Sequence, residues 1–317
     1  MRINLLLYEE RRTQKKEKHM LTIAISSRAL FHTGDGDEIF TKNGPSAFNK
    51  YMRAKERAPL RPGPAFNLIR KLLALNTSEK GRDRVEVVLL SRNSPDAGLR
   101  IMRSILEYEL DIERAVFTQG GDRFKYVAAF GAHLFLSTNS EAVSTSINYG
   151  VASAQMIPLV SEIDEDKTVR LAFDGDSVVF SNEADEVNQK QGLRAFQRSE
   201  QEQAKRPLKA GPFKTFISEL SKLQAYYEPE SAPIRIGLFT ARGVPAHERA
   251  LRTLRSWGVR LDEALFSGGL PKGPFLKAFG ADIFFDDTKH HVESARAHDV
   301  PAGHVPYGSG KGLTVVK

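Results

Sequence analysis

Four short stretches of this 317-residue chain carry side chains that could do chemistry together. They are Asp174 and Asp176 in VRLAFDGDSVVF, Thr240 and Arg242 in FTAR, Lys272 in PKGP, and Asp286 and Asp287 in IFFDD. Each comes after a short run of strand-like apolar or aromatic residues. Carboxylates gathered at the ends of buried strands repel one another and lose hydration, so such a cluster needs a cation among its members. An all-oxygen donor set favours a hard ion, and Mg²⁺ fits best. A carboxylate beside Mg²⁺, with a lysine and a hydroxyl in reach, can attack a phosphoryl group and become an aspartyl phosphate. The metal and the lysine would then neutralise the oxygens of the group in flight.

The elements that must position these residues follow from periodicity. VRLAF, IRIGLF, EALF and DIFF read as buried strands, and apolar residues at helical spacing lie between them, as in Phe213, Phe216, Ile217, Leu220 and Leu223 after Gly211-Pro212. A second helix is predicted from about Pro245 to Trp257, with Gly258 placed to end it. This alternation predicts an α/β fold with a doubly wound, Rossmann-like parallel sheet. In such sheets ligands bind at the carboxyl ends of the strands, where all four stretches fall. The charged segment between VRLAF and IRIGLF, about residues 181–233, reads as a small helical cap inserted over the sheet.

The chain also matches itself. AISSRALF (Ala24–Phe31) aligns with AFDGDSVVF, and PLRPGP (Pro59–Pro64) with PLKAGP (Pro207–Pro212), at one constant interval. One residue further in register, VVLLS (Val87–Ser91) meets IGLFT (Ile236–Thr240), RAVFTQG meets EALFSGG, and FGAHLFLST meets FGADIFFDD. The expected organisation is therefore an arm over 1–18, a first copy over 19–160 and a second copy over 161–317.

Composition sets outer limits. Hydrophobic residues make up 41% of the chain and cysteine is absent, which excludes disulfides and thiolate metal sites. The formal charge of +7 invites a nucleic-acid reading. Much of the excess sits in the arm, as Arg2, Arg11, Arg12, Lys15, Lys16 and Lys18 against Glu9, Glu10 and Glu17. The body keeps a modest surplus without a basic stripe, so on charge small anionic molecules are as good a match as nucleic acid, and nucleic acid is not the expected partner. The apolar run Ile3–Tyr8 is too short for a signal core, and no stretch is long enough to span a membrane, so a cytoplasmic protein is expected.

The four stretches, in this order, resemble the motifs of the haloacid dehalogenase superfamily of phosphatases. With TIAISSRALF, RPGPAF, LRTLRSWG, DEALF and HVPYG they are similar to the cytosolic type I 5′-nucleotidases over nearly the whole chain beyond the arm. The resemblance implies two tandem haloacid dehalogenase-like units. It implies Asp174 as nucleophile and Asp176 as general acid and base, with Thr240 and Lys272 holding the phosphoryl group. It also implies Mg²⁺ bound by Asp174, the backbone carbonyl of Asp176, and Asp286 or Asp287. The implied substrate is an AMP-like nucleoside 5′-monophosphate, and a nucleoside diphosphate such as ADP is an implied activator.

At the matching positions the first copy has Ser26 for Asp174, Arg28 for Asp176, Ser91 for Thr240, and Ser137 and Thr138 for the two final aspartates, with Arg123 near Lys272. It has lost the metal carboxylates, yet its serines, Arg28 and Arg123 could still hold a phosphate at a strand-end crevice and complete a nucleotide site, or bind a regulatory nucleotide. Arg242 is a candidate phosphate contact and Phe180 a candidate base contact. His290 and His291 read as a solvated helix start. Three alternatives stay open: a phosphatase or phosphotransferase for another small ester, a nucleotide-binding module without turnover, and, for assembly, an oligomer built on the duplication.

Overall fold

The apolar runs and the helical repeats between them fold as the predicted alternation. The computed structural model describes residues 20–78 and 84–307, so the basic arm over 1–18 lies outside the described residues. The first half contains β1 (Leu21–Ile25), α1 (Ser27–Leu30), β2 (Phe31–His32), α2 (Gly36–Ala54), β3 (Arg61–Pro62) and α3 (Phe66–Ala74). It continues with β4 (Val85–Ser91), α4 (Pro95–Glu107), β5 (Arg114–Phe117), α5 (Phe124–Ala129), β6 (Leu134–Ser137), α6 (Ser140–Asn148) and β7 (Ala152–Met156). The second half contains β8 (Val169–Phe173), α7 (Glu183–Gln191), α8 (Leu193–Glu202), α9 (Lys214–Gln224), β9 (Ile234–Thr240) and α10 (His247–Ser256). It ends with β10 (Glu263–Phe266), α11 (Gly273–Phe279), β11 (Ile283–Asp286), α12 (Lys289–Arg296) and β12 (Ala302–His304).

Ten strands form one sheet in the order β10-β9-β8-β11-β12-β7-β6-β1-β4-β5. Within this sheet every pairing inside a half is parallel, while β2 and β3 form a separate antiparallel pair. The halves meet at β12 and β7, which pair antiparallel with Gly303 opposite Met156. A β-carbon on Gly303 would lie 2.8 Å from that of Ala154 and 3.2 Å from the Phe285 ring, so this seam closes only over glycine. Outward from the seam both halves run in the same pattern, β7-β6-β1-β4-β5 and β12-β11-β8-β9-β10. Because the seam is antiparallel, the strands of the two halves point their carboxyl ends at opposite edges of the sheet. The result is an α/β architecture with a large, mostly parallel sheet, consistent with a Rossmann-like fold.

Alternate residues of the buried strands feed two layers. On one face Ile23, Ile25, Phe173 and Phe285 join Leu72, Ile101, Phe216 and Leu254 from the helices in one core that runs through both halves. On the other face the core divides, with Ala172, Phe284, Leu276 and Val292 in the second half and Ala24, Phe135 and Val127 in the first. Helix α9 belongs to the continuous layer: Phe216 sits 6.2 Å from Phe173 and 6.5 Å from Phe285, ring centre to ring centre. Within the segment 181–233, α7 and α8 also reach this core, through Ala184 and Phe196.

One polar contact crosses this core. Lys71 on α3 is buried and its Nζ lies 2.7 Å from Asp282 Oδ1 and 2.6 Å from Asp164 Oδ2, both beyond the seam in sequence. Asp282 also accepts the Arg170 backbone N–H at 2.8 Å, which fixes the entry of β8 and β11. Removing one member of a buried pair strands the other charge. Lys71→Met is expected to lower the unfolding free energy by about 3 kcal/mol in a urea titration. A loss under about 0.5 kcal/mol, the size of an ordinary surface change, would show that the contact does not tie the halves together.

Candidate active site

Four strand ends of the second half build the site. Strand β8 stops at Phe173, and the Asp174 backbone N–H still donates to the Phe285 carbonyl at 2.8 Å, which sets Asp174 beside the end of β11. The chain then turns tightly through Gly175–Val179, with Ser177 in the left-handed region at φ 61°. This turn is held from behind. The Gly211 and Phe213 N–H groups donate to the Val179 and Val178 carbonyls at 2.9 and 3.0 Å. A β-carbon on Gly211 would lie 2.2 Å from the Phe180 carbonyl oxygen, so no other residue can make this approach.

Lys272 enters from the turn before α11 and is fully buried. Its Nζ bridges Asp174 Oδ1 at 2.8 Å and Asp286 Oδ2 at 2.7 Å. Asp286 Oδ1 accepts the Thr288 N–H at 2.8 Å, and its other oxygen lies 3.1 Å from His291 Nδ1. Asp174, Asp286 and Asp287 each offer an oxygen, and these atoms lie within 4.8 Å of one another. Three convergent carboxylates of this kind suit a hard divalent cation, which is the fit that Mg²⁺ requires. Next to the cluster opens a cavity of about 460 Å³ bounded by Ser177, Asp185, Asp287, Thr288, Lys289 and His304.

The electrostatics mark the cluster as short of positive charge. Burial pushes the Asp174 carboxyl up to about 7, with Asp286 and Asp176 adding to the effect and Lys272 opposing it. Burial, with Asp174, Asp286 and Asp185 beside it, pushes Asp287 up to about 8. Burial also acts on Asp286, but there Lys272 and His291 outweigh it and hold the group below the usual carboxylate range. One lysine thus settles one carboxylate firmly and leaves the others to compete for protons or for a cation.

Asp176 faces a different partner. Both of its oxygens accept from Arg242, Nε to Oδ2 at 2.7 Å and Nη2 to Oδ1 at 2.6 Å, a bidentate fork in a buried setting. Arg242 continues to Glu200, which also accepts from Arg249 Nη1 at 2.7 Å, and Arg249 reaches Glu183 at 3.0 Å. Burial would lower the Arg242 pKa, yet Asp176 and Glu200 raise it above its ordinary value. Thr240 ends β9 and its Oγ1 accepts the Arg242 backbone N–H at 3.2 Å.

Of the residues singled out from the sequence, Asp174, Lys272, Asp286 and Asp287 come into one cluster, with Asp176, Thr240 and Arg242 on the adjoining loops. Phe180 is fully buried, 5.8 Å from Trp257 and 5.9 Å from the Arg242 guanidinium, so it packs the core under the loop. Ser26 and Arg28 are not brought to this site: they follow β1, whose carboxyl end points to the other edge of the sheet. There Arg28 pairs with Asp37 at 2.6 Å. His290 is exposed as expected, but His291 turns inward onto Asp286. Glu200 and Asp185 were missed in the sequence. Glu200 had one signal, its place one helical turn after Phe196 on the buried face of α8.

The chain is also similar to known proteins. Human (Homo sapiens) cytosolic 5′-nucleotidase 1B is 36% identical over 292 residues, which is 89% of this chain and 48% of that protein, so the chain spans about half the length of the curated relative it matches. Among solved structures, histidinol dehydrogenase from Elizabethkingia anophelis aligns at a TM-score of 0.21 and 12% identity over 90% of this chain and 70% of that one, too low a likeness to carry any argument. Residues 13–312 match the 5′-nucleotidase family, and with that span added to the site geometry, this chain belongs to the 5′-nucleotidase family.

Proposed function

We propose that the chain is a Mg²⁺-dependent phosphoric monoester hydrolase that releases phosphate from nucleoside 5′-monophosphates, AMP-like in size. The observation that carries the reading is the buried Lys272 bridge between Asp174 and Asp286, with Asp287 beside it, at the strand ends of a chain of this family. Asp174 attacks the phosphorus, and the bond from phosphorus to the 5′-oxygen breaks. Asp176 protonates that oxygen, and then takes a proton from the water that attacks phosphorus and frees Asp174. To give a proton, Asp176 must first leave the Arg242 fork that holds both of its oxygens. Lys272 and Thr240 hold the transferring group. Asp174, the Asp176 carbonyl and Asp286 or Asp287 would hold the metal, which would neutralise charge on the phosphoryl oxygens. A cytosolic location is part of the same reading, drawn from the relative's name.

The two halves are read as copies of one haloacid dehalogenase-like unit, 19–160 and 161–317, and their matching strand orders support a duplication. Within the second copy the cap reading is kept for α7 and α8, which carry Asp185 and Glu186 to the mouth of the cavity.

Asp174→Asn is expected to lower kcat by more than about a thousandfold while the chain still folds, with a cooperative unfolding transition shifted to lower stability by loss of the charged Lys272 contact. Retention of a tenth or more of the activity would exclude Asp174 as the nucleophile. Phosphate release should be confined to 5′-monophosphates in a panel that includes 3′-monophosphates and sugar phosphates. It should cease in EDTA and return with Mg²⁺. Equal release from sugar phosphates would overturn the substrate class, and full activity in EDTA would overturn the metal.

A further inference from the structure

The first half keeps the buried cation of the second half and lacks its anions. Arg123 and Lys272 hold the same place in their halves, each opening the helix that follows the outermost strand, and both are buried. Lys272 meets two carboxylates. In the first half the corresponding strand ends carry Ser26 and Ser137, and Ser26 repeats the backbone contact of Asp174, donating its N–H to the Leu136 carbonyl at 2.8 Å. Arg123 is only 6% exposed. Its Nη1 donates to the Leu90 carbonyl at 3.3 Å, and its Nη2 is buried without an acceptor. A guanidinium left in this way is costly unless something anionic reaches it.

Space for such a group exists beside it. Arg123 lines a cavity of about 390 Å³ together with Arg92, Asn139 and Thr145, walled by the stacked rings of Phe124 and Tyr149 at 4.2 Å. The cavity has its own carboxylates, Asp122 and Glu141. Asp122 is engaged by the Phe124 backbone N–H at 2.8 Å, and Glu141 is exposed on the first turn of α6. In the second half the third residue of α12, His291, turns onto Asp286. In the first half the third residue of α6 is Ala142, which leaves the volume open.

We propose that this cavity binds the phosphoryl group of a small phosphorylated molecule, with Arg123 as the buried counter-charge and Arg92 at the rim. A phosphoryl dianion matches two arginines where a single carboxylate would answer only one, and the guanidinium fork suits its oxygens. The volume beyond the phosphoryl group accommodates the rest of the molecule. The site opens at the sheet edge opposite Asp174, and the proposal does not rest on the nucleotidase reading.

The test uses the full chain in EDTA, titrated calorimetrically with inorganic phosphate and separately with malonate, alongside crystals soaked in tungstate. Tungstate is expected at Arg123, and Arg123→Met is expected to remove that peak and weaken the phosphate site there by at least about tenfold. Arg123→Lys should retain part of the affinity. Arg92→Met changes an exposed residue, so it reports even if Arg123→Met fails to fold, and it should weaken phosphate several-fold. Tungstate found only near Lys272, or phosphate affinity unchanged in both Arg92→Met and Arg123→Lys, would overturn the proposal. Malonate binding at Arg123 as tightly as phosphate would overturn the phosphoryl assignment.

Discussion

A fully buried lysine between two buried aspartates organises the second half of this protein. Lys272 cannot stay charged inside the fold without Asp174 and Asp286, and neither aspartate can stay ionised there without Lys272 or a metal. Each of the three comes from a different stretch of chain, so the bridge forms only when β8, β11 and the turn before α11 are all in place. The same pairing that fixes these ends leaves Asp174 and Asp287 in competition for one more positive charge. Function and folding therefore draw on one electrostatic arrangement.

The other half of the sheet has the same strand order without that arrangement. The first half keeps the strand order, a turn after its central strand and a buried cation, but Ser26, Arg28, Ser137 and Thr138 stand where the carboxylates would be. Its α1 follows Ser26 as an ordinary capped turn, with Ser26 Oγ accepting the Ala29 N–H. The antiparallel seam of β7 and β12 then turns this half end for end, so its crevice cannot share a ligand with the crevice of the second half. What the halves do share is the continuous core under one face and the Lys71 contact that crosses it. The first half thus supports the second as a packed neighbour, while its strand ends face a separate space.

Much of this was legible in the sequence because it is local. Strand-length apolar runs, the helix after Gly211-Pro212 and the four acidic, hydroxyl and lysine stretches depend on neighbours a few residues apart. The internal match between PLRPGP and PLKAGP was legible too, and Gly63 and Gly211 in those stretches both press on backbone atoms of the preceding loop. The orientation of the seam was not, since nothing in Ala152–Met156 or Ala302–His304 distinguishes parallel from antiparallel pairing. That one feature removes Ser26 and Arg28 from the site. The partners of Asp176 were hidden for a related reason. Glu200 lies 42 residues before Arg242 and 49 before Arg249; Glu200 and Arg249 alone read as surface charges, and Arg242 as a phosphate contact. His291 looked solvated because only the fold reveals that Asp286 lies beneath it.

Covalent phosphorylation of Asp174 is the central step of the proposed reaction. The direct measurement is to quench the enzyme within a turnover of a nucleoside 5′-monophosphate, reduce any acyl phosphate with borohydride, and map the peptides by mass spectrometry. Conversion of the residue 174 side chain to the homoserine alcohol, absent without substrate, is the expected result. Turnover that proceeds with no reduced side chain at 174, or with one at another aspartate, would contradict it.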